Sequence, residues 1–404
     1  MTEDRSAATS RPSTHRRTAL IVLLLGSTLT VMAGAVLAPV VGLLQTDLDL
    51  TAVTAGLVLT AHGLSLALAG PAVGRAIDRW GVRGPLTVGL LLYGVAGGAG
   101  LLTTSYPALI ASRLVFGIGA AVVFTGTTLA LLDLYEGAAR DRAMGWRSTA
   151  ISLGGVLWPL TGGALGAISW HAPFAVYLLG VPLGLATLRA LPAPARPATT
   201  GPHTNDPAQP LRALISSQPR LLGVYGLQIV ATVLLYGILV FLPLRLAEVG
   251  ITDTRIVAAF TATLSVTMSL AGLRYAQARA RLGHTQLLIL AYSIWTIALA
   301  TLGLTDTPAL LLAAPALFGI GMGLAVPALT VLTAQHAPAN HRGQATALLA
   351  TATFTGQFIS PLLLGPVQTA TSVTGTFLTT AALAAGTLIA LLATRSGSPP
   401  GNRR

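Results

Sequence analysis

Along this chain, long uncharged tracts alternate with short segments that hold almost all of the charge. Twelve tracts can be drawn, at approximately 19–44, 54–73, 86–104, 107–131, 148–168, 173–188, 221–244, 256–273, 286–304, 308–333, 345–366 and 375–393. A helix rises about 1.5 Å per residue, so roughly 20 apolar residues cross a hydrocarbon core of about 30 Å. The pattern therefore predicts twelve transmembrane helices. Arg16 and Arg17 precede the first tract, as basic residues precede a secretory signal, but its apolar run is longer than a signal's and eleven more tracts follow, so it reads as an uncleaved first span.

Between the sixth and seventh tracts, LPAPARPATTGPHTNDPAQP (191 to 210) is too rich in proline and polar residues to span and suits a linker. The expected organisation is a tail over 1–18, a bundle over 19–190, a linker over 191–220, a second bundle over 221–393 and a tail over 394–404. The halves also repeat. FGIG at 116 to 119 returns at 318 to 321, and Gly81 pairs with Gly283, Arg140 with Arg342, Gly154 with Gly356, Pro159 with Pro361 and Gly163 with Gly365, always 202 residues apart. Internal duplication implies an all-α integral membrane protein of two six-helix bundles related by a pseudo-two-fold axis, with a substrate path between them.

Composition agrees, at 53% hydrophobic residues, 9% charged and a mean hydropathy of +0.74. The net charge of +12 would suggest nucleic acid in a soluble domain, but all 24 basic residues are arginine and their placement decides otherwise. With the amino terminus inside, 21 arginines fall in inner segments and only Arg245 and Arg255 in outer ones. The positive-inside rule then puts both termini on the cytoplasmic side of the plasma membrane, and nucleic-acid binding loses its motivation. Cysteine is absent, and metal-spaced histidines, a carboxylate pair within a span and a nucleotide-binding glycine loop are missing, so no enzyme, cofactor or metal site is expected. A membrane sensor would need a soluble domain, for which the tails are too short. A monomer surrounded by lipid, with a small-molecule substrate, is the expectation.

GRAIDRWGVRGPL (74 to 86) concentrates charge at the end of the second tract. It reads either as a solvated loop that only orients the helix or as a functional motif. It resembles the signature G-x-x-x-D-R-x-G-R-[KR]-x-x-L of the major facilitator superfamily, matched at Gly74, Asp78, Arg79, Gly81, Arg83 and Leu86, with Val82 at the first of the two basic positions. The resemblance implies a latch: Asp78 near the start of the eleventh span at Gly343 to Ala345, and Arg79 or Arg83 paired with Asp133 or Glu136. A carboxylate beside a helix N-terminus gains about 0.3–1 kcal/mol, enough to bias a rocking equilibrium. In the repeat copy Ala280 takes the place of Asp78, so the latch belongs to one half.

LIASRLVFGIGAA (109 to 121) resembles the family's fourth-helix pattern and puts Arg113 inside a span, at a cost of about 2.5–3.5 kcal/mol on insertion scales. It should face a wet cavity or a partner, either donating to carbonyls of the first helix or serving in coupling or substrate binding. GGVLWPLTGG (154 to 163) resembles the fifth-helix pattern of the drug/proton antiporter branch at Gly154, Pro159, Gly162 and Gly163. Trp158 replaces a glycine there, and either crowds the turn or enters the cavity. Trp170 and Phe174 resemble the family's junction between the fifth and sixth helices.

No Asp or Glu lies in the hydrocarbon part of any span, where this branch often carries one, which leaves His62 as the titratable candidate, for a helix–helix hydrogen bond or for coupling. His62 and Arg113 fall at similar depths and could share a cavity wall. By resemblance the cavity is lined by the first, fourth, seventh and tenth helices, with Thr28, Met32, Gln228, Tyr236 and Met322 as candidates beside Trp158 and Gln357. The implied function is proton-coupled efflux of a hydrophobic small molecule; transport of a sugar or other polar metabolite is the alternative, disfavoured by the scarcity of amides in the spans. With Arg113 as the fixed intramembrane charge, neutral or anionic substrates should be preferred to quaternary cations.

Overall fold

The computed structural model describes residues 13–192, 218–338 and 341–396; most of the expected linker and the ends of both expected tails lie outside the described residues. Every apolar tract forms a helix, usually longer than the tract. The spans are α1 (Ser13–Ala35), α2 (Ala52–Trp80), α3 (Arg83–Gly98), α4 (Tyr106–Leu134), α5 (Gly137–Gly166), α6 (Gly180–Ala190), α7 (Pro219–Glu248), α8 (Thr254–Leu273), α9 (His284–Leu304), α10 (Pro308–His336), α11 (Arg342–Ala370) and α12 (Val373–Ser396). Eleven spans are apolar and long enough to cross a membrane; α5 falls short, its early turns carrying Arg140, Asp141, Arg142 and Arg147 and the rest being diluted by glycine.

The breaks have local causes. Pro39 has no N–H to offer the carbonyl of Ala35, so α1 stops there and a 3-10 turn, Ala38–Val40, leads into the short helix Val41–Asp47. α2 does not end before the charged motif but carries Arg75, Asp78 and Arg79 in its last turns. The reversal into α3 takes only Gly81 and Val82, with Gly81 at φ +73°, a conformation that side-chain-bearing residues resist. The sixth span begins as a 3-10 helix, Ala172–Leu179, before α6.

α1 to α6 form one bundle and α7 to α12 the other, and they meet chiefly where α2 crosses α11 and α5 crosses α8. At the end of the molecule away from the arginine-rich segments, both crossings are in backbone contact. A Cβ added to Gly56 would lie 2.6 Å from Pro361 Cβ, one on Gly365 2.2 Å from Val53, and one on Gly163 2.4 Å from Ala258 Cβ. Thr254 Oγ1 donates to Gly163 O at 2.7 Å. The other side of the same α5 turns meets the first span just past the end of α1: a Cβ on Gly162 would fall 1.9 Å from Val36 O, and one on Gly166 2.2 Å from Val40 in the 3-10 turn. Midway, Gly63 faces Gln357 and Gly155 faces Ser265, and these two contacts are copies of each other under the 202-residue repeat. Towards the arginine-rich end the crossings separate, and Gly74, Gly145, Gly272 and Gly343 have no such neighbour within 4 Å.

Alanine normally stabilises an exposed helical glycine position by about 1 kcal/mol. Gly223→Ala, in open space on α7, should raise the melting temperature of the purified protein, whereas Gly162→Ala should lower it, at a cost of about 1–3 kcal/mol, because its methyl has no room beside Val36.

Candidate transport cavity

Where α2 and α11 separate, a cavity of about 570 Å³ opens between α2, α4 and α11. Leu66, Ala67, Gly70 and Pro71 line it from α2; Ala121, Phe124 and Thr125 from α4; Gln344, Thr346, Ala347, Leu348, Ala350, Thr351 and Phe354 from α11. The volume suits a drug-sized molecule, and no lining side chain is charged. Deep in the cavity, Phe124 and Phe354 meet edge to face across the bundle interface, with ring centroids 5.8 Å apart.

One turn beyond Phe354 on α11, the Gln357 amide lies 2.9 Å from His62 Nε2, and both residues are buried. With the amide nitrogen donating, the neutral ring carries its proton on Nδ1, which has no acceptor. The sequence named both residues but could not pair them.

Arg113 does not face this cavity; of the two settings expected, a wet cavity or a partner, it has a partner. It is fully buried in the first bundle, where Nη2 donates to Gly97 O of α3 at 2.6 Å and Nε and Nη1 have no acceptor. Three rings enclose the guanidinium, with centroids at 4.8 Å (Phe116), 5.0 Å (Phe174) and 4.8 Å (Tyr177). Phe116 lies three residues on along α4, on the same helical face. Phe174 and Tyr177 also lie three apart, and in a 3-10 helix that spacing eclipses them, so the irregular start of the sixth span builds two of the walls. The tie to the first helix comes from tyrosines instead of the arginine: Tyr93 donates to Leu29 O at 2.7 Å and Tyr177 to Ala33 O at 2.9 Å. Ala33 O is free because Leu37 N turns back to Gly34 O where α1 ends. Phe116 also contacts His62, centroids 5.5 Å apart, so the ring stands between the caged cation and the inter-bundle bond instead of both lining one wall.

The latch contacts are not made here. Asp78, Asp133 and Glu136 are exposed, and among the described residues none of them forms an ion pair. Arg83 Nη2 instead donates to Leu188 O, a carbonyl left open because the residue four positions on, Pro192, has no N–H. Arg79 lies over the Trp80 ring, and Arg140 caps the end of α4 through Leu132 O and Tyr135 O. None of these contacts joins the two bundles.

Trp158 neither crowds its turn nor projects freely: its Nε1 donates to Thr28 O of α1 at 2.9 Å, above Gly154, where a Cβ would sit 3.1 Å from the same residue. Pro159 is buried beside these glycines. Trp170 packs on Phe174 at 6.0 Å, at the edge of the Arg113 cage. Of the helices named for the cavity, α4 alone contributes to the one found. Met32 and Met322 are buried in packing, Gln228 donates to its neighbour Thr232, and Tyr236 reaches across to Gly34 of α1. The second bundle has its own buried arginine: Arg245 donates to Leu302 O and Thr305 O and pairs with Glu248 and Asp306.

Two duplicated six-helix bundles around a cavity define the architecture of a membrane transporter. The family model of the Major Facilitator Superfamily matches residues 23–361 and, in a second placement, 246–404, and the chain belongs to that superfamily. It is 28% identical over 174 residues to Multidrug resistance protein 1 of Bacillus subtilis, covering 42% of this chain and 45% of that protein. It is 29% identical over 136 residues to the quinolone resistance protein NorA of Staphylococcus aureus, covering 34% and 35%. The matched regions thus span under half of these relatives. In fold it resembles a D-xylose-proton symporter, with a TM-score of 0.77, 18% identity and coverage of 95% of this chain and 98% of that one.

Lysine at position 113 would keep the charge but lose the flat surface that three rings clasp. Arg113→Lys should cost about 2 kcal/mol, read as a lower melting temperature of the purified protein, and Tyr177→Phe should cost less because the ring remains.

Proposed function

We propose that this protein is a proton-coupled exporter of hydrophobic small molecules from the cytoplasm across the plasma membrane. The observation that carries the reading is the apolar cavity, which lies where the crossings have separated towards the arginine-rich end. The arginine bias makes that end cytoplasmic, so the molecule is open to the cytoplasm and closed to the outside, as an exporter is when it loads. The similarity to a multidrug and a quinolone resistance protein supports export. A sugar would find few hydrogen-bonding groups on this lining.

Alternating access requires the packed crossings at the closed end to open while the arginine-rich ends of α2 and α11 approach. Their antiparallel register, continued inwards from Gly63 and Gln357, brings Asp78 towards the N-terminus of α11. Asp78 then engages only when the cytoplasmic side shuts, stabilising the outward-facing form. His62 is the coupling group in this reading. A second ring proton would remove the lone pair at Nε2, so Gln357 would have to turn its amide and offer Oε1 in place of Nε2, remaking the bond between the bundles. The charge that reaches it from its own bundle is Arg113, behind Phe116. The protein works as a monomer in lipid.

In inverted vesicles acidified inside, an exported compound should release protons as it is added, and a sugar should not. Asp78→Asn, inserted to the same level, should transport several-fold more slowly; His62→Gln should carry substrate down its gradient but no longer release protons. Proton release with sugars alone would favour the polar-metabolite reading, and wild-type rates in Asp78→Asn would leave the charged motif an orienting role only.

A further inference from the structure

Phe124 is buried by neither bundle: it is 38% exposed, on the same helix as the fully buried Phe116. Its partner Phe354 is held from behind, because α2 passes so close that a Cβ on Gly63 would lie 3.1 Å from Phe354 O. The two rings stand at 89°, one on each bundle, and form a corner in the cavity wall. A flat ring system seated in a right-angled corner meets one ring face to face and the other edge to face, the two geometries that aromatic quadrupoles favour. The corner also lies beside Gln357, at the level where the crossings change from contact to separation. Rocking displaces the ends of the helices most and this level least, so the corner persists as access alternates.

Charge limits what can bind there. The polar side chains of the lining are Thr125, Gln344, Thr346 and Thr351, and none of the lining is anionic. A fixed cation would surrender its hydration with no counter-ion, and two phenylalanine faces return only part of that loss. Its approach is also opposed, since at the arginine-rich ends of the lining helices exposed Arg75, Arg79, Arg140 and Arg342 outnumber Asp78, Asp133 and Glu136. Uncharged molecules meet neither obstacle.

Resting on the export reading, we propose that Phe124 and Phe354 form the specificity subsite of this transporter, and that it selects uncharged, planar polycyclic aromatic compounds over permanent cations of the same shape. This separates the chain from any carrier that holds cations on an intramembrane carboxylate.

The test is equilibrium binding to the full chain in lipid nanodiscs, using phenanthridine, N-methylphenanthridinium as the same frame with a fixed charge, and perhydrophenanthrene as a saturated frame. Phenanthridine should bind at least ~10-fold more tightly than either. Phe124→Leu and Phe354→Leu should each weaken phenanthridine about 5- to 10-fold while leaving the other two ligands unchanged, and Phe354→Tyr should restore wild-type affinity. Phe124 is open enough to the cavity for its leucine variant to fold even where Phe354→Leu does not. Equal or tighter binding of the cation overturns the proposal, as does unchanged phenanthridine affinity in Phe124→Leu. Proton release from vesicles separates the two readings: ring-dependent binding without release by any compound removes export and keeps the subsite, whereas release indifferent to both rings and to charge removes the subsite and keeps export.

Discussion

Glycine-mediated contact of α5 with both α1 and α8 is the constraint on which the arrangement rests. Gly162 and Gly166 admit the first span just past α1 while Gly163 admits α8, so one helix holds its own bundle and closes against the other over the same two turns. The α2–α11 crossing does the same with Gly56 and Gly365. In lipid no hydrophobic drive brings helix to helix, and close approach through small residues supplies the packing that does. Because these contacts run from one end only as far as the level of Gly63 and Gln357, the bundles are joined over that part and separate beyond it, and the cavity follows from that asymmetry.

The first bundle is unified differently, around Arg113. One carbonyl hydrogen bond and three ring faces hold the guanidinium without any carboxylate, leaving Nε and Nη1 with no acceptor. The same rings hold α1 through tyrosine hydroxyls and touch His62 through Phe116. The second bundle solves the equivalent problem near its surface with a conventional ion pair network on Arg245, so the two halves share a fold but not a means of burying charge.

The twelve spans were legible because a span must be free of charge for about 20 residues and little else in a sequence looks like that. Their ends were not. Charge ends the apolar tract but not the helix, and Arg75, Asp78 and Arg79, like Arg140, Arg142 and Arg147, lie on helical turns that the tracts exclude. The glycines of α5 were readable because glycine and proline in a span are seldom there for bulk. His62 stood out as a lone titratable group, yet its partner lies 295 residues away and only the folded interface joins them. Phe124 and Phe354 carry no mark at all, since an apolar residue facing a cavity and one facing lipid are spelled alike. The residues of the charged motif stood out by pattern, but none of the contacts expected of them is made among the described residues.

The cage around Arg113 also bears on how the chain is made. Arg113 and Phe116 leave the ribosome with the fourth span, while Phe174 and Tyr177 arrive only with the sixth, some sixty residues later. At about 5–20 residues per second, the cation waits seconds in the bilayer with an incomplete shelter, snorkelling or drawing water with it. Closure of the first bundle is therefore timed by the sixth span, and the proline-rich segment that follows sets the second bundle's synthesis after that moment.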